Sequence, residues 1–122
     1  MKIGSENTAP TFPVLGEEAR LLKVLLSPKL QGDMPIASGL TVMEPGQKTD
    51  CIGHEEGEMF YVISGTGKMV MGEEEADLEP TVCIWAPPHT RHQMLNTGSK
   101  DLKVLWVLCP PGREEAIIEN SI

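Results

Sequence analysis

Short runs of β-forming residues alternate with turns containing glycine and proline along almost the whole chain. The densest runs are 58–64 and 102–109, and the second is apolar apart from Lys103, which is typical of a strand buried on both sides. Further strands are predicted at 21–27, 36–43, 68–71, 77–79, 82–86 and 91–96. For 21–27 a helix is the competing interpretation. Eight or more short strands separated by turns indicate an antiparallel sandwich or barrel.

The 122 residues are enough for one domain with its own core. Residues 1–20 contain two prolines and show little periodicity, so we expect an arm that crosses the surface or reaches a neighbouring subunit. The domain proper is predicted at 21–122 and ends in a short helical turn at 113–118. Residues 65–67 (Gly-Thr-Gly) predict a hairpin, and the acidic run 73–75 a solvated turn.

The charge balance limits the partners of the chain. Ten lysines and arginines stand against 18 aspartates and glutamates, which gives a formal charge of -8. No basic cluster offers phosphates a binding surface, so nucleic acid is not an expected partner. Because no apolar run is long enough to span a membrane and the N-terminus lacks an apolar signal segment, we expect no membrane partner and a cytoplasmic location.

The three cysteines, at positions 51, 83 and 109, are odd in number and show no CxxC spacing. Neither a disulfide framework nor a thiolate zinc site is therefore indicated.

All three histidines lie between residues 46 and 96, in two clusters rich in glycine, proline and carboxylates. The first cluster, 46–67, reads GQKTDCIGHEEGEMFYVISGTG. The second cluster, 81–96, reads TVCIWAPPHTRHQMLN. Residue alternation in a strand places Asp50, Ile52 and His54 on one face of the first cluster. The same rule places His92, Met94 and Asn96 on one face of the second.

These two clusters resemble the two motifs of the cupin superfamily, and the similarity extends as a strand pattern over about 21–111. The first motif is matched in register by Gly46, His54, Glu58 and Gly65. The second motif is matched by Pro87, His92 and Asn96. Ile52 stands where the first histidine is usual, and Thr81 and His89 stand where glycines are usual. The resemblance implies an all-β fold, an antiparallel jelly-roll barrel of the small single-domain type.

The resemblance also implies a divalent metal ion held by His54, Glu58 and His92. Two imidazoles and one carboxylate can occupy one face of an octahedral ion and leave the other face open. Three ligands suffice for iron, manganese, nickel or zinc, although Ile52 cannot supply the usual fourth. Glu58, or water bound to the ion, is the expected catalytic base. The alternative is an inert barrel in which both histidines are hydrogen-bonded core residues.

The expected ligand is a small organic acid or sugar-like molecule inside the barrel. Metal-dependent oxygenases, decarboxylases, isomerases and lyases all occur among cupins, and a fold does not choose between them. The alternative is a non-catalytic barrel that binds a small molecule. The predicted pocket residues are Asp50 at the rim, Ile52, Tyr61, Trp85, Met94 and Trp106. His89 is expected in a solvated turn. The resemblance further implies a homodimer formed through the outer sheet.

Overall fold

The computed structural model describes residues 1–122 and consists mainly of two antiparallel β-sheets. The strands are β1 (Thr11–Val14), β2 (Arg20–Leu26), β3 (Ala37–Met43), β4 (Gly57–Ser64), β5 (Gly67–Met71), β6 (Glu74–Leu78), β7 (Cys83–Ala86), β8 (His92–Leu95) and β9 (Leu102–Cys109). The larger sheet has the order β1-β2-β3-β9-β4-β7, and the smaller has the order β6-β5-β8. This architecture confirms the predicted all-β, jelly-roll-like fold.

The core lies between the sheets because alternate residues of each strand point inward. On β9 the inward residues Leu102, Val104, Trp106 and Leu108 are buried. The residues between them are only half-buried, so this strand is fully buried on one face rather than on both. β9 occupies the centre of the larger sheet, between β3 and β4, which explains why every residue except Lys103 is apolar.

Residues 20–26 form a strand, not a helix, because β2 pairs along its length with β1 and β3. The arm also contributes to the domain: a short 3-10 helix (Glu6–Thr8) precedes β1, the edge strand. Glu6 forms ion pairs with Lys23 and Lys103, which ties the segment before β1 to β2 and β9.

The predicted hairpin at 65–67 is wrong, because β4 and β5 belong to different sheets. The chain instead turns a corner there. Gly65 has a φ of 88°, and a Cβ at Gly65 or Gly67 would collide with backbone oxygens of residues 101 and 95. Glycine is thus required at both positions by the close approach of the neighbouring backbone, and at Gly65 also by the positive φ.

The acidic run 73–75 is only partly a turn. Gly72 and Glu73 form the turn, and Glu74 and Glu75 begin β6. β6 is an edge strand whose first four residues are exposed, so its charges reflect contact with solvent rather than a loop.

Two short α-helices complete the chain. α1 (Pro28–Gln31) lies in the segment predicted as a loop, and the Ser27 hydroxyl caps it by accepting from the Lys29 amide. α2 (Glu114–Glu119) is the predicted C-terminal helical turn and packs against β1 and β2. Neither helix has the length or apolar character needed to cross a bilayer.

Candidate metal centre

Three side chains converge between the two sheets. His54 lies in the loop before β4, Glu58 is the second residue of β4, and His92 begins β8. Glu58 Oε1 lies 3.0 Å from His54 Nε2 and 3.6 Å from His92 Nε2. One ligand atom from each residue lies within 4.8 Å of the others. A loop and two strands from different sheets thus bring these three residues to one point.

The backbone holds the two histidines in place. The loop containing Ile52 and His54 lies against the loop before β8, because the His92 amide donates to the Ile52 carbonyl and the His89 amide donates to the His54 carbonyl. Ile52 and His92 also form an isolated antiparallel bridge. The two motif segments therefore form one structural unit.

Both imidazole rings are oriented by their Nδ1 atoms. His54 Nδ1 donates to the Glu56 carbonyl at 2.8 Å, and His92 Nδ1 donates to the Thr90 carbonyl at 2.9 Å. A carbonyl oxygen only accepts, so each Nδ1 carries a proton and Nε2 is the ring nitrogen that faces Glu58. Such outer hydrogen bonds orient histidine ligands in metal sites.

The short contact between His54 Nε2 and Glu58 Oε1 requires a cation or a proton between two atoms that both carry lone pairs. Ligand bonds of about 2.1 Å at near-octahedral or tetrahedral angles separate donor atoms by about 3.0–3.5 Å. The observed 3.0 Å lies within that range, and the observed 3.6 Å lies just above it. The donor set therefore fits a divalent ion.

The surroundings of this cluster favour a negatively charged Glu58 and a positively charged His92. Burial raises the pKa of the Glu58 carboxyl, but hydrogen bonding to His54 and the proximity of His92 outweigh burial and leave the pKa below its ordinary value. Burial lowers the pKa of the His92 imidazole, but the Glu58 carboxylate and the Thr90 carbonyl outweigh burial and raise that pKa. The carboxylate is thus stabilised as an anion, the form that binds metal.

A cavity of about 390 Å³ opens from this cluster. Four of the predicted pocket residues line it, namely Asp50, Ile52, Met94 and Trp106. Phe60 packs edge-on against His92 with ring centroids 5.4 Å apart. The volume suits a small molecule, since ligand pockets measure about 300–1,000 Å³.

Tyr61 and Trp85 lie outside the cavity, so the structure contradicts their assignment to the pocket. Their exposed fractions are 36% and 52%. Glu58 and Phe60 point inward on β4, so Tyr61 between Phe60 and Val62 points outward. Trp85 pairs with Met59, which places it on the same outer face. His89 is exposed, as predicted, in the turn after β7.

Sequence reasoning missed several cavity residues, among them two arginines. Arg20 begins β2 and Arg113 immediately precedes α2, and both line the cavity. Arg20 shares the inward face of β2 with Leu22 and Val24. Strand alternation places Arg20 on that face, but only once the structure has shown that Val24 is buried. No sequence signal placed Arg113, because its position depends on how α2 packs.

Comparison with known proteins agrees with this fold. The family model for the cupin domain matches residues 39–108. The chain belongs to the cupin family. The matched region includes the three converging side chains and seven of the nine strands.

This cupin has similar proteins in archaea and bacteria. The uncharacterized protein MJ1618 of Methanocaldococcus jannaschii is 26% identical over 116 residues, covering 94% of this chain and 93% of that protein. The crystal structure of a "predicted oxalate decarboxylase" from Thermotoga maritima superposes with a TM-score of 0.77 at 17% identity, covering 88% and 98% of the two chains. KdgF from Halomonas sp. gives a TM-score of 0.76 at 18% identity, covering 92% and 97%. These two structures show the fold of the cupin and not its reaction.

Proposed function

We propose that this cupin binds a divalent iron, manganese, nickel or zinc ion through His54, Glu58 and His92 and acts on a small organic acid or sugar-like molecule in the barrel. The observation that carries the proposal is the convergence of two imidazole nitrogens and one carboxylate oxygen at the wall of a 390 Å³ cavity. The expected reaction is an oxygenation, decarboxylation, isomerisation or lyase step.

The protein groups have separate tasks in this proposal. The carbonyls of Glu56 and Thr90 hold the imidazoles so that Nε2 faces the ion position. Glu58 supplies negative charge and is the nearest base to a bound molecule. A bound divalent ion would supply Lewis acidity toward a carbonyl or carboxylate oxygen. Apolar residues such as Phe60 and Trp106 exclude water from one side of the cavity.

Metal analysis of protein purified without a histidine tag tests the proposal. The wild type should carry near-stoichiometric metal, and His92→Ala should lose it because one of three ligands is gone. His89→Ala is the matched control, since His89 is exposed and outside the cavity. Substoichiometric metal in the wild type and in His92→Ala alike would refute metal binding.

A second candidate function is non-catalytic binding of a small molecule. Tyr61 and His89, two side chains that could transfer a proton, lie outside the cavity. Asp50 and Ile52 do line the cavity, but Ile52 adds only apolar surface beside His54, Glu58 and His92. Catalysis requires a proton-transfer group within hydrogen-bond reach of the substrate. A thermal-shift screen of organic acids and sugars separates the two functions: stabilisation that requires metal favours the enzyme, and metal-independent stabilisation favours the binder.

We also propose that the protein is a cytoplasmic homodimer. The outer face of the larger sheet carries exposed apolar side chains at Tyr61, Ile63 and Trp85, and clustered exposed apolar residues are typical of interaction surfaces. Light scattering at micromolar concentration should give a dimeric mass, and Trp85→Glu should lower it. A monomeric mass for the wild type would contradict the dimer.

A further inference from the structure

Two of the three arginines in this acidic chain line the same cavity as the candidate metal ligands. Arg20 comes from β2 of the larger sheet, and Arg113 comes from the start of α2. The Arg20 charge in particular has to be explained, because its side chain is only 11% exposed and burying a charge costs free energy unless a partner compensates it, whereas the Arg113 side chain is 41% exposed.

Arg20 is nearly buried but only partly hydrogen-bonded by the protein. Its side chain is 11% exposed. Nη1 donates to the Glu18 carbonyl at 2.7 Å, and Nη2 donates to Asp50 Oδ1 at 3.4 Å. A guanidinium carries five N–H donors. Arg20 therefore retains donors that the protein does not use.

Arg113 has more unused capacity. Its nearest carboxylate oxygen is Asp50 Oδ2, 4.0 Å from Nη2, which is beyond hydrogen-bond distance. Asp50 thus lies between the two guanidinium groups without forming a two-bond pair with either. Its position brings both groups to the same part of the cavity wall.

The buried carboxylates of the cavity are, by contrast, already held by protein groups. Glu58 faces two imidazoles. Glu114 accepts from the Ser27 hydroxyl and from the Gly112 amide, each at 2.6 Å. The unused hydrogen-bond donors of the two arginines therefore match a carboxylate in shape and charge.

We infer that Arg20 and Arg113 bind a carboxylate of the ligand, so that the cavity selects organic acids over neutral sugars. This inference rests on the proposed function, in which the opposite end of the ligand lies at His54, Glu58 and His92. The preferred ligand is accordingly a diacid, or a keto or hydroxy acid with a second anionic group. Arg20 is the more buried of the two arginines proposed to bind this carboxylate, and Arg113 contributes from the start of α2.

Paired hydroxy acids test this directly by calorimetry on the full chain loaded with manganese. Malate is compared with lactate, 2-hydroxyglutarate with 2-hydroxybutyrate, and 2-hydroxyadipate with 2-hydroxyvalerate. The members of a pair share the metal-binding end and differ only in the distal carboxylate. At least one diacid should bind about tenfold more tightly than its partner, as expected for charged hydrogen bonds.

The variants Arg20→Gln and Arg113→Gln should each reduce this diacid preference while leaving monoacid affinity nearly unchanged. Lys68→Gln removes the same charge from an exposed site outside the cavity and should keep the wild-type preference. If Arg20→Gln does not fold, the more exposed Arg113→Gln still decides the question. The inference is overturned if no diacid exceeds its monoacid in the wild type, or if the preference survives in every folded arginine variant.

The same titrations without metal separate this inference from the proposed function. If the protein binds none of manganese, iron, nickel and zinc but still prefers diacids through Arg20 or Arg113, the proposed metal function fails and the carboxylate site stands. If manganese binds and no diacid preference exists, the carboxylate site fails and the metal function stands.

Discussion

Replacing Asn96 with alanine should destabilise the protein without weakening metal binding. Asn96 is 2% exposed and follows β8. Its Nδ2 donates to the carbonyls of Met43 and Lys100, both at 2.9 Å, and its Oδ1 accepts from the Gly98 amide, also at 2.9 Å. The side chain therefore connects the end of β3 with the turn before β9.

The expected loss follows from these three hydrogen bonds. A side-chain hydrogen bond contributes about 1 kcal/mol net, and buried partners left unsatisfied cost more. Asn96→Ala should thus lower the free energy of unfolding by about 3 kcal/mol, a large share of the total for a domain of this size. Asn96 does not line the cavity and contacts none of the three ligand residues through its side-chain hydrogen bonds, so we expect the metal ligands to keep their positions.

Urea unfolding monitored by tryptophan fluorescence measures the loss, and calorimetry with manganese measures metal affinity. Asn120→Ala is the matched control, because Asn120 is exposed and its Nδ2 makes one bond, to the Ala116 carbonyl. We expect that control to change stability by less than about 0.5 kcal/mol. A loss below about 1 kcal/mol for Asn96→Ala, or a folded variant with impaired metal affinity, would refute the reasoning.

Three further predictions follow from the site and its turns. Ile52→His places a third imidazole across the bridge from His92 and should tighten metal binding by about tenfold, or 1.4 kcal/mol; calorimetry showing unchanged affinity would contradict it. Thr81 has a φ of 77°, a conformation that strains a residue with a side chain. Thr81→Gly should therefore raise the free energy of unfolding by about 0.5–1 kcal/mol, which is the strain relieved minus the cost of the greater chain entropy of glycine in the unfolded state. A lower free energy of unfolding in urea would count against it. The pKa of Glu58 lies below its ordinary 4.5 and that of His92 above its ordinary 6.5. Glu58 therefore stabilises the fold above pH 4.5, and His92 stabilises it below pH 6.5, so the metal-free protein should be most stable between these two pH values. Urea unfolding measured across this pH range should show a stability maximum that is flatter in Glu58→Gln.

Strand positions were predictable from β-forming runs and turn residues along the chain, whereas the three converging side chains were predicted from the resemblance to the cupin motifs. Glu58 and Phe60 share a face of β4, and His92 and Met94 share a face of β8. Strand alternation could have excluded Tyr61 from the pocket, since it lies an odd number of residues from Glu58. The aromatic ring of Tyr61 suggests a pocket wall, but its position on β4 excludes it from the pocket.

Other features depend on pairing that no local pattern records. Trp85 faces outward because β7 pairs with β4 in a register that aligns it with Met59. The corner at Gly65 resembles a hairpin in sequence, and only the assignment of β5 to the second sheet distinguishes them. Arg113 reaches the cavity through the packing of α2 on β1 and β2.

The departures from the cupin motifs affect backbone and chemistry differently. Thr81 and His89 occupy positions where glycine is usual, and they are the two non-glycine residues with positive φ, at 77° and 63°. These two residues thus adopt a backbone conformation that favours glycine, and the His89 amide donates to the His54 carbonyl. At position 52 an apolar side chain stands where the motif has an imidazole, and the backbone bridge places that side chain beside His92. Because the bridge already holds residue 52 next to the site, the tighter metal binding expected for Ile52→His would come from the added imidazole.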